Sequence, residues 1–96
     1  MKITSIHNSG FKTKRFLVVL DDGSNYNFGL KTGSTYIDHH DEKKRDNYRA
    51  RHLGNQKEKQ LIESFTPSPA LFSFYILWGP YTNINENIQF LNKKLK

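Results

Sequence analysis

Cysteine is absent from the 96-residue chain. Its absence excludes disulfide bonds, thiolate metal sites and cysteine nucleophiles, and it favours a reducing compartment such as the cytosol. Long apolar runs are absent too. The first residues lack the apolar stretch of a signal peptide, and the longest run, residues 70–78, falls far short of the roughly 20 residues that cross a bilayer. We therefore expect neither secretion nor membrane insertion.

The familiar motifs of enzymes are also missing. Lys31-Thr32-Gly33-Ser34 resembles a fragment of a phosphate-binding loop but lacks the full order of that motif, and neither a nucleophile elbow nor a His-Glu-x-x-His zinc motif is present. Without cysteine, covalent catalysis would depend on an unsupported serine. The sequence thus predicts no catalytic residue, no metal site and no cofactor.

The composition provides enough apolar and aromatic side chains for one folded core. Aromatic residues make up 14% of the chain and charged residues 25%, so core-forming side chains are plentiful. A chain of this length buries one core and not two, which predicts a single domain over residues 1–96. Fifteen Lys and Arg against nine Asp and Glu give a net charge of +6. This charge favours polyanionic partners through electrostatic steering, with a merely solvated surface as the alternative.

The first third of the chain has the pattern of strands. Residues 15–20 are apolar and rich in β-branched side chains, Asp21-Asp22-Gly23-Ser24 is a turn sequence, and large side chains then alternate with small or polar ones as far as Leu30. A shorter strand precedes the Asn8-Ser9-Gly10 turn. Residues 1–31 therefore predict a three-stranded antiparallel meander.

The remainder predicts three to four short helices, which together with the meander define an α+β fold. Asp41, Ser68 and Asn83 are N-cap residues, and Gly79-Pro80 is a stop signal. One helix is apolar on nearly every side, which predicts that it is buried with Trp78 in the core. The helices are expected as a basic helix at 41–54, a second helix at 55–66, the buried apolar helix at 68–79 and an amphipathic C-terminal helix at 83–95.

The basic helix carries the leading candidate for a binding surface. Its cations share about one third of a helical wheel with one aromatic residue. This basic face consists of Lys44, Arg45, Tyr48, Arg51 and His52, with Arg49 flanking it. Such a face suits nucleic-acid phosphates or an acidic protein. The alternative is that Asp41, Glu42 and Asp46 pair with these cations at helical spacing.

A polar cluster lies just before that helix, in a predicted loop. It consists of Tyr36, Asp38, His39, His40 and Asp41. Imidazoles and carboxylates can bind a divalent metal, so Asp38, His39 and His40 together with His52 suggest a small metal-dependent nuclease. The ligand spacing of known metal motifs is absent, however, and a loop held by capping and hydrogen bonds is the alternative.

Ordered motifs run from the third predicted strand to the end of the apolar helix. They are Phe28-Gly29-x-Lys31, Gly33-Ser34-Thr35-Tyr36-Ile37-Asp38-His39, Asp41, Lys44-Arg45, Tyr48-Arg49-Ala50-Arg51-His52, Glu58, Leu61-Ile62, Pro67-Ser68-Pro69-Ala70-Leu71-Phe72-Ser73, Tyr75 and Leu77-Trp78-Gly79. In these motifs the chain resembles a family of small uncharacterised proteins encoded by large and giant DNA viruses of eukaryotes, a domain of unknown function.

The resemblance implies a viral origin and brings no known activity with it. It also implies a location in the virion or in the host cytoplasm, where viral factories form. Together with the basic helix, it leads us to expect a non-enzymatic viral protein that contacts nucleic acid or an acidic viral protein. The alternative is a minor capsid or scaffold protein, with a homo-oligomer or a capsid as its partner.

Overall fold

A computed structural model describes residues 2–95 of the chain, and it begins with the predicted meander. The sheet is antiparallel with the order β1-β2-β3. Gly23 adopts φ 87° in the β2–β3 turn, a conformation that glycine reaches without strain. The strands are β1 (Ile3–Asn8), β2 (Lys14–Leu20) and β3 (Asn25–Leu30).

Within residues 2–95, five α-helices follow the sheet, so the α+β class is confirmed. They are α1 (Tyr36–His39), α2 (Glu42–Leu53), α3 (Gln56–Glu63), α4 (Pro69–Phe72), which continues as a π-helical segment over Ser73–Leu77, and α5 (Ile84–Lys94). The cap residues explain the helix starts, because the side chains of Asp41, Ser68 and Asn83 accept hydrogen bonds from the first turns of α2, α4 and α5.

Two stretches differ from the sequence-based expectation. Tyr36–His39, predicted as part of a polar loop, forms the single-turn helix α1. The helix expected over residues 55–66 ends at Glu63, because Phe65 turns the chain with φ 52°. Of the residues that the structure describes, no helix is both long and apolar enough to cross a membrane.

The apolar segment after Pro69 forms the centre of the core, as predicted. Leu71, Phe72 and Ile76 are completely shielded from solvent, and they pack against Val18 and Phe28 of the sheet. Burial of large aliphatic and aromatic side chains is worth about 1.5 to 3 kcal/mol each, so this segment contributes several kcal/mol to stability.

A second set of contacts joins the two ends of the fold to the core. The amide of Asn87, on α5, is fully buried; it donates to the carbonyls of Ile76 (2.9 Å) and Tyr81 (2.8 Å) and accepts from the N–H of Tyr81 (2.9 Å). Asn92 on the same helix accepts from the N–H of Ile3 at 2.8 Å. Helix α5 thereby holds both the 78–83 loop and the first strand.

Candidate functional site

A pocket of about 520 Å³ opens between the end of β3 and helix α2. The loop after β3 forms one side, helix α2 a second, and the π-helical segment with the following Trp78 a third. The lining residues are Gly29, Leu30, Gly33, Ser34, Thr35, His39, Lys44, Asn47, Tyr48, Arg51, Ser73, Leu77 and Trp78. Its volume lies within the range of small-molecule pockets.

Glycine at position 29 permits the close packing beneath this pocket. Gly29 adopts φ 81°, and a β-carbon there would come within 2.9 Å of Cδ1 of Leu77 and 3.3 Å of Cβ of Arg15. Only a residue without a side chain accepts both the backbone conformation and the approach of Leu77. The end of β3 therefore lies directly against the core segment, which sets the depth of the pocket.

The loop that forms the pocket wall is held by Asp38. Its carboxylate accepts two hydrogen bonds from the guanidinium of Arg15, both at 2.7 Å. It also accepts from the backbone N–H (2.8 Å) and the hydroxyl (2.9 Å) of Thr35, the residue that caps α1. Because Arg15 and Thr35 both stabilise the ionised form, the pKa of Asp38 lies well below its usual range. Asp38 is thus a positioning group for the loop.

The variant Asp38→Asn is expected to lose about 1 to 2 kcal/mol of stability at pH 7, since it weakens a bidentate ion pair and a helix cap that are partly open to solvent. A carboxyl whose folded-state pKa is depressed stabilises the fold above its unfolded-state pKa of about 4, and this stabilisation is lost as the pH falls through the folded-state pKa. Urea unfolding across this range should show the two proteins converging in acid.

The matched control for that comparison is Asp46→Asn, which removes an acidic side chain that is 66% exposed and paired only with its neighbour Arg45. Exposed pairs contribute about 0 to 1 kcal/mol, so this variant should stay close to the parent protein at every pH. Equal effects of the two substitutions, or a difference at Asp38 that does not vary with pH, would contradict the role assigned to Asp38.

One wall of the pocket is a column of stacked rings. The ring of Tyr48 lies between His52, at a centroid distance of 4.0 Å, and Trp78, at 4.1 Å with an interplanar angle of 9°. The ring of His39 is tilted by 56° relative to that of Trp78, and the two ring centroids are 5.4 Å apart. We call these four residues the aromatic column. Burial raises the pKa of the Tyr48 phenol to about 12, so its hydroxyl stays protonated at neutral pH.

A local hydrogen bond determines which ring nitrogen of neutral His39 carries the proton. Its Nδ1 accepts from the backbone N–H of Asp41 at 3.0 Å, which places the proton of the neutral imidazole on Nε2. That Nε2 is buried and has no hydrogen-bond partner among the described residues. The ring of His39 contacts those of Trp78 and Tyr36, with centroid distances of 5.4 Å and 6.4 Å, so aromatic contacts hold it at the pocket.

The cations of the predicted basic face fall into two groups. The guanidinium of Arg49 is half-buried, donates to the carbonyl of Trp78 at 3.0 Å and lies 4.2 Å from the ring centroid of Phe74. His52 is bonded to Glu58 at 2.6 Å, and Arg45 lies over the ring of Tyr36. These three residues attach α2 to the rest of the fold.

Lys44 and Arg51 form the second group, because both are exposed and both line the pocket. They lie seven residues apart on α2, which separates them by about 10 Å along the helix axis. The guanidinium of Arg51 is 5.6 Å from the ring centroid of Tyr48, so it stands next to the aromatic column. In the part of the chain that the structure describes, no acidic residue lines the pocket.

The polar cluster predicted from sequence does not assemble into one centre. Asp38 is paired with Arg15, His39 faces the aromatic column, Asp41 caps α2 and His40 is exposed in the left-handed conformation. Over residues 2–95 there is no group of three His, Asp or Glu side chains placed to hold a metal ion. These residues therefore do not come together as the metal ligands that the nuclease hypothesis requires.

Several pocket residues were not identified from the sequence. Trp78 was expected in the core, yet it is only partly buried, because the chain turns at Gly79 and leaves the indole on the pocket wall. Ser34 lies in the Lys31–Ser34 fragment, which resembles a phosphate-binding loop only in part, and Asn47 and Ser73 carry no motif that marks them as binding residues. Position 78 did have one signal, since a bulky aromatic residue directly before a Gly-Pro stop sits at the end of its helix.

The fold and pocket define a small α+β domain with a cationic, aromatic-walled pocket between a meander and a helix. A model of the DUF5754 family, a family of unknown function, matches residues 4–52. This match spans just over half of the chain, and the protein belongs to that family. No curated protein and no solved structure matches the chain.

The matched segment contains the meander, α1 and most of α2. It includes every pocket residue except Ser73, Leu77 and Trp78, which come from the apolar segment further along the chain. The pocket is therefore built where the family segment meets the second half of the protein.

Proposed function

We propose that this protein is a non-enzymatic nucleic-acid-binding protein that uses the basic surface around α2. The observation that carries the proposal is the pocket itself, whose charged lining residues, Lys44 and Arg51, are both exposed cations beside an aromatic wall. Cations placed next to aromatic rings are the combination that nucleic-acid-binding surfaces use for phosphates and bases.

The surface on the other side of the pocket is basic too. Lys14 pairs with Leu30 across the β2–β3 ladder, and the N–H of Lys31 donates to the carbonyl of Thr13 at 3.2 Å. Leu30 lines the pocket, and its neighbours are Lys14, its cross-strand partner, and Lys31, the next residue along the chain. A polyanionic strand that crosses the pocket would meet positive charge on both sides of it, which agrees with the net charge of +6.

The double variant Lys44→Ala/Arg51→Ala tests this proposal. Binding of DNA or RNA oligonucleotides at about 50 mM salt should weaken by tenfold or more, and the salt dependence for single strands should decrease by a slope of about 1.4, because two phosphate contacts are removed. Fluorescence anisotropy of labelled oligonucleotides measures both quantities over a series of salt concentrations.

The matched control is Lys57→Ala/Lys59→Ala, which removes the same charge from the exposed face of α3 without touching the pocket. It should change the affinity far less than the pocket variant. Equal losses of affinity in both variants would mean that binding depends on net charge and not on the pocket. If the parent protein binds no nucleic acid at 50 mM salt, the proposal is wrong. The hypothesis to test next is then binding to an acidic protein.

We also propose a viral setting for this function, in the virion or at cytoplasmic sites of viral replication. The support is the resemblance of residues 28–79 to proteins of large DNA viruses, together with a basic surface suited to a packaged genome. Mass spectrometry of purified particles tests it: the protein should be present at a constant ratio to the genome, and its absence from particles would contradict packaging.

A further inference from the structure

We infer that the pocket holds one unpaired nucleotide, so that the protein selects single-stranded over double-stranded nucleic acid. This inference rests on the proposed nucleic-acid contact and adds to it a ligand class for the pocket. The argument depends on three surfaces that meet there: the aromatic column, the two cations of α2 and the small residues of the loop after β3.

The apolar wall contains an indole ring that is already stacked on another aromatic side chain. Trp78 and Leu77 form it, and the indole is held in place by Tyr48, whose ring is stacked against it at 4.1 Å and nearly parallel. His52 on the far side of Tyr48 prevents the stack from opening. A wall that is already ordered loses little side-chain entropy when a base packs against it.

Two cations line the pocket, one for each of the two phosphates that flank a nucleotide. Lys44 and Arg51 lie two helical turns apart, and both have long flexible side chains that can reach inward from the rim. One phosphate on each side of the pocket would place the base between them, against the wall of Trp78. A single inorganic anion would use only one of these cations and none of the wall.

The rest of the pocket lining is small and polar. Gly33 and Ser34 of the loop after β3 have small side chains, while Asn47 and Ser73 supply amide and hydroxyl groups for the edge of a base. A volume of about 520 Å³ accommodates one nucleotide but not a base pair with its backbones. In a duplex the same base would have to leave its stack at a cost of a few kcal/mol.

Trp78 provides a direct probe of this site, because it is the only tryptophan in the chain. Ten-nucleotide oligothymidylate should quench its fluorescence saturably, and should bind about tenfold more tightly than a ten-base-pair duplex at the same salt concentration. Ser34→Phe tests the pocket without changing any charge, since Ser34 is exposed and its replacement would fill the cavity. Single-strand affinity should then fall to the duplex value, while duplex affinity is unchanged.

The matched control is Thr82→Phe, which adds the same ring at an exposed position outside the pocket and should alter neither affinity. Unfolding midpoints of both variants verify that they remain folded. Equal binding of single strand and duplex, or a Ser34→Phe variant that retains the single-strand preference and the quenching, would overturn the inference while leaving the basic surface intact. Failure of both polymers to bind the parent protein would overturn the proposed function as well.

Discussion

Replacing Asn87 by leucine is expected to lower the free energy of unfolding by about 3 kcal/mol or more, a large share of the 5 to 15 kcal/mol typical of a domain. The amide of Asn87 is completely buried and makes three hydrogen bonds to the backbone of Ile76 and Tyr81. Leucine has a similar size but no polar atoms. It would leave two carbonyls and one N–H without partners in places that water reaches poorly.

Urea denaturation of the two proteins measures this loss. The control is Asn85→Leu, on the exposed side of the same helix, which changes the same side chain in the same way and should shift the stability by about 0.5 kcal/mol at most. If the two leucine variants unfold at similar urea concentrations, the bonds of Asn87 do not hold the 78–83 loop.

Gly79→Ala is expected to lower the free energy of unfolding by a similar amount, about 3 kcal/mol, or to prevent folding at 37 °C. Gly79 is buried where the apolar segment ends, and a β-carbon there would overlap the carbonyl oxygen of Tyr75 and lie 2.9 Å from Oδ1 of Asn87. A backbone carbonyl cannot rotate away as a side chain can. The loop would have to move and release the hydrogen bonds of Asn87.

Gly10→Ala is the control for that substitution, because a β-carbon at position 10 meets no atom within 4 Å. Thermal unfolding should show Gly10→Ala near the parent midpoint and Gly79→Ala far below it, at about 4 to 8 °C per kcal/mol for a domain of this size. A Gly79→Ala protein with the parent midpoint would mean that the loop relaxes freely. The double variant Gly79→Ala/Asn87→Leu should lose less than the sum of the two, since both changes break the same contacts.

The fold was largely readable from the sequence because its signals are local. Alternating large and small residues around Asp21-Asp22-Gly23-Ser24 identify the hairpin, and the side chains of Asp41, Ser68 and Asn83 mark helix starts that the structure confirms. Burial of the apolar segment followed from the lack of any polar face. None of these inferences requires knowledge of which elements touch.

The short helix α1 was missed for a physical reason. Four residues make too few internal hydrogen bonds to form a helix on their own, and this one exists because Arg15, on a distant strand, binds Asp38 across the cap. Helical periodicity detects nothing in so short a segment. The same contact pairs the Asp38 carboxylate, which the sequence suggested as a metal ligand of the alternative nuclease, with Arg15.

The basic face shows the limit of reasoning from a helical wheel. A wheel places residues around one axis but carries no information on what packs against each side. The structure directs Arg49 toward Phe74 and the carbonyl of Trp78, and leaves Lys44 and Arg51 at the pocket. Residues that look equivalent in sequence therefore differ in role, three holding the helix and two facing solvent.

The sequence by itself determined the α+β class, the meander, the buried apolar segment, the positive charge and the lack of thiol chemistry, because each follows from composition or from neighbours along the chain. Only the tertiary structure decided that Trp78 lies on a pocket wall, that Tyr48 stacks on it, and that loop residues after β3 face α2. Those features arise between elements far apart in sequence, where packing of the whole core sets which side chains meet.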